Sequence, residues 1–260
     1  MFSFFIKSIC FIKSIIFIFV EGYLFSSNRW YIRTIIPLST ILFSTDGDTL
    51  GIKVRSKKMI KDFLIIDCTG KNDSIALKIN NKFFIKKLQT NLIKNEILVS
   101  EIVDFTKKYN VELNNSFSIF VNSGPGSFSG VRISLAVAKG MQLAKNTNTY
   151  SYNNFLINAA PYLIEKKNIV SLLKTNKFYY FCRGVFNTDY LFTLPEKIDL
   201  EKIQKEESIF IISEEIKNDE IIKNIDPKNI RIAEYNLRNI DLLIENKLIE
   251  NKLIKPLYLS

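Results

Sequence analysis

The sequence contains no histidine, and this absence restricts its chemistry more than any other feature of its composition. Catalysis by Ser-His-Asp or Cys-His groups needs an imidazole as general base, so both mechanisms are excluded. Zinc sites of the HExxH type, and other metal sites built on histidine, are excluded for the same reason. Carboxylates, lysines and a bound nucleotide with magnesium remain as chemistry that the chain could use.

Cysteine is also scarce, with three residues that lie far apart at Cys10, Cys68 and Cys182. They form no CxxC pair and no spacing typical of a disulfide framework. A reducing compartment is therefore expected, and we predict a cytoplasmic protein.

The chain has 260 residues, a hydrophobic content of 47% and a net charge of +10. This length allows one large domain or two small ones, with enough apolar residues for a substantial core. A mild basic excess permits contact with RNA but does not by itself indicate it, because no dense stripe of lysine and arginine with interleaved aromatics follows Met59.

The N-terminal stretch 2–20, FSFFIKSICFIKSIIFIFV, is almost wholly apolar but includes Lys7 and Lys13. One interpretation is that residues 1–58 are an extension upstream of a true start at Met59, in which case no membrane contact is expected. The alternative is a membrane-tethered protein that uses residues 1–20, since the run is just long enough to span a bilayer. A lysine near mid-span disfavours insertion, and the run lacks the cleavage site of a signal peptide.

A regular pattern begins after Met59 and predicts an ordered α/β domain over residues 59–152. Apolar alternation and turn residues predict three antiparallel strands, a helical face, a fourth strand and a second helix. Their ranges are Phe63–Ile66, Ser74–Ile79, Phe83–Lys87, Ile93–Tyr109, Ser116–Val121 and Gly130–Lys145. The order βββαβα resembles a ribonuclease H-like unit, the half-domain of the actin, sugar-kinase and Hsp70 (ASKHA) superfold.

The remaining residues, 153–260, have a weaker pattern and predict a reduced second domain. Helices are expected at Asn153–Ile164, Leu200–Glu206 and Asp219–Asn224, and strands at Ile169–Leu173, Tyr179–Phe186 and Ile209–Ile212. The closing IKPLYLS is expected to be extended after its proline.

A glycine-rich loop, NSGPGSFSGVRISLAVAKG from Asn122 to Gly140, lies between the fourth strand and the second helix. A phosphate cradle would suit this position, but the Gly-Lys-Ser/Thr end of a Walker loop is missing. A nucleophile elbow at Ser127 or Ser129 would lack its histidine. A structural turn that caps the helix is the simplest interpretation. Its predicted residues are Gly124, Pro125, Gly126, Ser127, Phe128, Gly130 and Arg132.

The helix after the loop has small residues at Ala136, Gly140 and Ala144, which share one face at steps of four. Small side chains allow another surface to approach closely. This face could pack on the domain's own sheet or form an interface with a partner subunit, and the spacing does not distinguish the two.

The loop and helix, NSGPGSFSGVRISLAVAKGMQLAK, resemble the signature of the TsaB/YeaZ family, with Ser129 and Ser134 replacing the family's usual threonine and second glycine. The segment FLIIDCTGKNDSIAL resembles the family's opening hairpin, with Asp67 at the matching position, and KPLYLS resembles its closing strand. The resemblance covers Met59 to Ser260. Two segments depart from the family, namely Lys94-Asn95 at the first helix and LLKTNKFYYF in the second half.

The resemblance implies an accessory subunit without catalytic residues of its own. Members of the family dimerise with TsaD, join the ATPase TsaE, and support transfer of a threonylcarbamoyl group to the adenosine beside the tRNA anticodon. Ala136, Gly140 and Ala144 would then form the partner interface, tRNA would be reached only through the complex, and ATP and metal would belong to the partner subunits. A homodimer remains an alternative.

Asp67 and Thr69 could form a vestigial nucleotide site, because DCTG keeps part of the Asp-x-Gly-Thr hairpin of ASKHA ATPases. The same aspartate could instead serve a turn at the end of its strand. An ATPase or small-molecule kinase of this superfold is therefore the enzymatic alternative to the accessory subunit.

Overall fold

The computed structural model describes residues 60–70, 73–88, 94–175, 178–198, 208–249 and 255–259, together with the backbone of five strands before them. The chain divides into two compact units, Met1–Met59 and Ile60–Ser260. In the described part of the chain, no helix has the length and apolar character needed to cross a bilayer.

The first unit contains short antiparallel sheets, although the sequence of residues 21–58 shows no sustained period. Its strands are β1 (Ser3–Ile12), β2 (Ile15–Tyr23), β3 (Thr34–Pro37), β4 (Ile41–Asp46) and β5 (Thr49–Val54). The order is β1-β2-β3 in one sheet and β4-β5 in the other. Strands β1 and β2 include residues 3–12 and 15–20 of the stretch considered as a membrane anchor.

The second unit opens with a five-stranded sheet of order β10-β9-β6-β7-β8. Its strands are β6 (Phe63–Asp67), β7 (Ser74–Ile79), β8 (Lys82–Lys87), β9 (Ser118–Asn122) and β10 (Asn148–Tyr152). The predicted antiparallel meander is confirmed, and Asn80 and Asn81 both take positive φ in its second turn. Because β6, β9 and β10 are parallel, their carboxyl ends meet at one edge.

Two helices cover one face of this sheet, α1 (Lys94–Lys108) and α2 (Phe128–Lys145). Their buried side chains form a core with the sheet that includes Leu98, Ile102, Phe105, Val131, Leu135 and Ala138. The predicted helical periods are confirmed, and α2 begins two residues before the predicted Gly130.

A second sheet in the same unit repeats the strand order of the first as β13-β12-β11-β15-β16, with β14 paired to β12. Its strands are β11 (Ile169–Lys174), β12 (Tyr179–Phe186), β13 (Tyr190–Phe192), β14 (Glu196–Lys197), β15 (Ile209–Ile212) and β16 (Ile230–Ile232). As in the first sheet, three strands form an antiparallel meander and two more add in parallel. The predicted helix Leu200–Glu206 lies outside the described residues.

Short helices connect and cover the second sheet: α3 (Asn154–Ala159), α4 (Glu220–Lys223) and α5 (Ile240–Glu245). The predicted helix over Asn153–Ile164 is α3 followed by a 3₁₀ turn, Ala160–Glu165, that begins next to Pro161. Helices α3 and α5 contribute to a buried core that also includes Phe63 of β6 and Ile211 of β15. The two sheets therefore share one hydrophobic core.

Candidate interaction site at the glycine loop and helix α2

The glycine loop joins β9 to α2 and packs directly on the turn after β6. Gly124 has a φ of 103°, which glycine adopts at little cost. Gly126 and Gly130 are needed because their backbones touch that turn. A Cβ on Gly126 would lie 2.1 Å from the carbonyl oxygen of Thr69, and one on Gly130 would lie 2.0 Å from that of Cys68. Side chains at these two positions would force the loop and the turn apart.

Three backbone amides of the loop donate to groups within the protein. The amide of Gly124 donates to Asn122 Oδ1 at 2.9 Å, and the amide of Ser127 donates to the Thr69 carbonyl at 2.7 Å. Ser127 in turn caps α2, because its Oγ accepts from the amide of Gly130 at 3.3 Å. These amides are the donors that a phosphate cradle would offer to an anion. The contacts therefore favour the structural-turn interpretation.

Helix α2 has a buried face and an exposed face, and the small residues lie on the exposed one. Ala136, Gly140 and Ala144 are all exposed, whereas the neighbouring Ala138 is fully buried. No atom lies within 4 Å of a Cβ built on Gly140. The side chain of Leu143 on the same turn is 88% exposed. Within the described residues, this face does not pack on the domain's own sheet.

Two exposed aromatic rings stack at the start of α2. Phe128 is 59% and Tyr258 is 53% exposed, with ring centroids 5.3 Å apart. The Arg132 guanidinium lies 4.9 Å from the centroid of the Phe128 ring. Tyr258 reaches this place because the amide of Leu257 donates to the Ser123 carbonyl at 2.8 Å. The C-terminal segment, expected to be extended, thus lies beside the glycine loop.

Asp67 lies at the edge where β6, β9 and β10 end, and its carboxylate accepts hydrogen bonds from four residues. Oδ1 accepts from the amide of Thr69 at 3.0 Å and from its hydroxyl at 2.7 Å. Oδ2 accepts from Asn122 Nδ2 at 2.8 Å and from the Tyr152 hydroxyl at 3.1 Å. The Tyr235 hydroxyl also donates to Oδ2. The turn role considered for Asp67 is present, and three further donors from distant parts of the chain join it.

Burial shapes the protonation of this cluster. Burial raises the pKa of Asp67 above its ordinary 3.8, although the hydrogen bonds from Asn122, Thr69 and Tyr152 act in the opposite direction. Burial, and then the negative charge of Asp67, raise the pKa of Tyr152 well above 10.0. Tyr152 therefore remains a protonated donor at neutral pH.

The fold type implies a nucleotide with magnesium near this edge, but the arrangement of Asp67 does not fit a metal ion. Two donors occupy Oδ1 and three occupy Oδ2, whereas a magnesium ligand must offer a free oxygen lone pair. Among the described residues, no group of three or more acidic residues and cysteines is placed to hold a metal.

A groove of about 930 Å³ lies beside the loop, bordered by Gly126, Asn154, Lys174 and Tyr258.

Comparison with known proteins gives one sequence relative and several structural ones. No family model matches the chain. The tRNA threonylcarbamoyladenosine biosynthesis protein TsaB of Buchnera aphidicola subsp. Baizongia pistaciae is 33% identical over 122 residues, which cover 46% of this chain and 55% of the relative. The chain thus spans about half the length of the curated relative that it matches.

Two solved structures from Pseudomonas aeruginosa have a similar fold. YeaZ superposes with a TM-score of 0.57 at 14% identity, over 76% of this chain and 100% of that one. An uncharacterised protein with similarity to peptidase YEAZ gives 0.56 at 14% identity, over 77% and 100%.

These matches support a TsaB/YeaZ family assignment. At 14% identity the structural likeness shows the fold alone, so the support for the family comes from the sequence match, which covers 55% of the relative. The predicted α/β fold of the ASKHA type is confirmed, because the chain shares the architecture of YeaZ and repeats one strand order in both sheets.

The structure separates the residues singled out from the sequence into two places. Asp67 and Thr69 contact the glycine loop, whereas Ala136, Gly140 and Ala144 lie on the exposed face of α2. Three residues assigned to the loop, namely Phe128, Gly130 and Arg132, belong to the first turns of α2. In this TsaB/YeaZ-like chain the loop and the helix therefore form one continuous structural feature.

Sequence reasoning missed four residues that bind the Asp67 carboxylate or its partner Asn122, namely Asn122, Tyr152, Asn154 and Tyr235. Asn122 and Tyr152 each end a strand parallel to β6, so aligning the carboxyl ends of the predicted strands would have indicated Asn122. Asn154 contacts Asn122 Nδ2 through its Oδ1 at 2.6 Å. Tyr235 follows the three-residue strand β16, which is too short to leave a period in the sequence.

Proposed function

We propose that the chain is a non-catalytic scaffold subunit that binds a TsaD homologue through the exposed face of α2. In this proposal it acts with a TsaE homologue to support transfer of a threonylcarbamoyl group to the adenosine beside the tRNA anticodon. The observation that carries the proposal is the exposure of Ala136, Gly140 and Ala144 on a helix that begins with the TsaB/YeaZ-like loop. The name of the Buchnera relative supports the pathway.

The chemistry of this face suits a helix from another subunit. Small side chains at steps of four leave a shallow groove into which the ridge of a second helix can fit at short axial distance. The exposed side chains of Leu143 and Phe128 extend the apolar surface along the same helix. Exposed apolar groups of this kind gain free energy when a partner removes them from water.

We assign catalysis, ATP and metal to the partner subunits. The missing histidine and the occupied carboxylate of Asp67 support this assignment. tRNA would be reached through the complex in the cytoplasm, and residues 1–58, which lie outside the resemblance, would be dispensable for it.

The substitution Gly140→Leu tests the interface. Nothing lies within 4 Å of the new Cβ, so the monomer should stay folded, but leucine would fill the groove needed by a partner helix. We expect the affinity for the TsaD homologue to fall about 100-fold, measured by titration calorimetry and by co-elution on a sizing column.

Lys223→Leu is the matched control, because it places the same side chain on an exposed position of α4. This variant should bind like the wild type. Wild-type affinity for Gly140→Leu would exclude α2 as the interface. A wild-type chain that only self-associates would favour the homodimer instead.

A further inference from the structure

Tyr235 follows β16, the last strand of the second sheet, but contacts the end of a strand in the first. The amide of Ala233 donates to the Ile212 carbonyl at 2.7 Å, which keeps the chain on the second sheet just before this tyrosine. The Tyr235 hydroxyl then donates to Asp67 Oδ2, while the residue remains 44% exposed. Only the polar end of the side chain enters the cluster.

Asp67 is connected to the glycine loop by two short routes. Oδ2 binds Asn122 Nδ2 at 2.8 Å, and the Oδ1 of Asn122 accepts from the amide of Gly124 at 2.9 Å. Oδ1 of Asp67 binds Thr69, whose carbonyl accepts from the amide of Ser127, the residue that caps α2. Both routes end at groups that set the direction in which α2 leaves the loop.

A third set of contacts holds the middle of the loop. Asn154 Nδ2 donates to the Pro125 carbonyl at 2.6 Å, and the amide of Asn154 donates to the Gly124 carbonyl at 2.9 Å. The Oδ1 of Asn154 is 2.6 Å from Asn122 Nδ2, the same group that binds Asp67. The orientation of the Asn122 amide therefore depends on the carboxylate as well as on α3.

We propose that Tyr235 is a positioning residue for the start of α2, acting through Asp67, Asn122 and Thr69. The carboxylate that the fold type associates with a nucleotide here serves as the centre of a hydrogen-bond relay between the two sheets. The relay itself stands on the contacts above, and only its consequence for a partner rests on the proposed function.

The central hydrogen bonds of the relay contribute strongly because they involve a buried carboxylate. Hydrogen bonds to an ionised group are stronger than neutral ones, and their loss inside a protein is not fully replaced by water. Removing the Tyr235 hydroxyl leaves Oδ2 with Asn122 and Tyr152 as donors. We expect the Asn122 amide to reorient toward the vacated position and to weaken its bond to Gly124.

The test compares amide hydrogen exchange in wild type, Tyr235→Phe and Tyr162→Phe. Tyr162 is the matched control, because its hydroxyl likewise donates a hydrogen bond. Its acceptor is the Ile232 carbonyl of the second sheet, at 2.6 Å, and not Asp67. Each variant loses one hydroxyl and keeps its ring. Exchange is followed by NMR at the amides of Thr69, Gly124 and Ser127.

In Tyr235→Phe we expect exchange at these three amides to rise about tenfold, with little change at the α1 amides. Tyr162→Phe should leave the three amides at their wild-type rates. Unchanged exchange in Tyr235→Phe, or an equal rise in both variants, would overturn the relay.

Binding to the TsaD homologue gives the second readout. Tyr235→Phe should weaken it several-fold although Tyr235 lies outside the α2 face, and Tyr162→Phe should not. If wild type binds and Tyr235→Phe binds equally well, the relay has no role in presenting α2. If wild type does not bind, the proposed function fails, and the exchange data still decide whether the relay exists.

Discussion

At the scale of single residues, Asp67 shows how one carboxylate can organise distant parts of a chain. It ends a buried strand, and its donors come from β9, β10, the turn after β6 and the segment after β16. The sequence indicated Asp67 itself, because an aspartate at the end of an apolar strand before a turn is a recognisable pattern. Thr69 was indicated together with Asp67, but Tyr152 and Tyr235 could not be identified in the same way, since the order of the strands in the folded sheets brings them to Asp67.

Replacement of Asp67 by asparagine tests the protonation of this cluster. Because the folded pKa of Asp67 lies above 3.8, the native state holds its proton more tightly than the unfolded state. The stability that Asp67 contributes is therefore full at low pH and is lost as pH rises through the raised pKa. Relative to Asp67→Asn, the wild-type free energy of unfolding should fall as the pH rises from the ordinary 3.8 of an aspartate through the raised pKa of Asp67.

The expected fall is about 1.4 kcal/mol for each pH unit by which burial raises the pKa. Urea unfolding of both proteins across this range measures it, with the slope of each transition as a check on two-state behaviour. A difference that stays constant or grows with pH would show that hydrogen bonding, not burial, dominates at Asp67.

At the scale of elements, the loop and α2 are the parts that the sequence described best. The sequence predicted the glycine turn, the capping serine and the helix. A dense set of glycines before a periodic segment constrains the backbone locally, which makes such a turn recognisable. The reasons for the glycines were only partly foreseen. Gly124 needs its positive φ, but Gly126 and Gly130 are set by tertiary contact with the turn after β6.

Several strands of four or more residues were predicted with their observed bounds, whereas the strands of two or three residues were not predicted. The strand β7 has the predicted bounds, and β12 does as well, because each shows several residues of regular pattern. The strands β13, β14 and β16 contain two or three residues, which is too few for a period to appear. Pairing with longer neighbours in the folded sheet creates them.

Two alanine substitutions in α2 test the distinction between contact glycines and exposed glycines. Gly130→Ala places a Cβ 2.0 Å from the Cys68 carbonyl oxygen, so the loop must move, at a cost of about 1–3 kcal/mol in the free energy of unfolding. Gly140→Ala meets open space and should stabilise the helix by about 1 kcal/mol.

The two variants should therefore shift the urea midpoint in opposite directions. An unchanged midpoint for Gly130→Ala would mean that the loop tolerates displacement at Gly130, and that its approach to the turn after β6 is not what requires glycine there.

At the scale of the whole molecule, the main finding is that both sheets of the second unit have the same strand order around a shared core. The sequence predicted a reduced second domain from a weaker pattern, and the structure shows that its sheet keeps the complete order of the first. This architecture leaves Ala136, Gly140 and Ala144 of α2 exposed, and it places the start of α2 beside the hydrogen bonds that join the two sheets at Asp67. Such an arrangement suits a subunit whose role is to present a surface to a partner.

Reconstitution of the modification reaction is the most direct measurement of this role. The TsaD and TsaE homologues from the same organism would be combined with tRNA and a threonylcarbamoyl donor, with and without this chain. Threonylcarbamoyladenosine would then be quantified after digestion of the tRNA. We predict product only when the chain is present, and no product from the chain alone. Equal product in its absence would contradict the scaffold function.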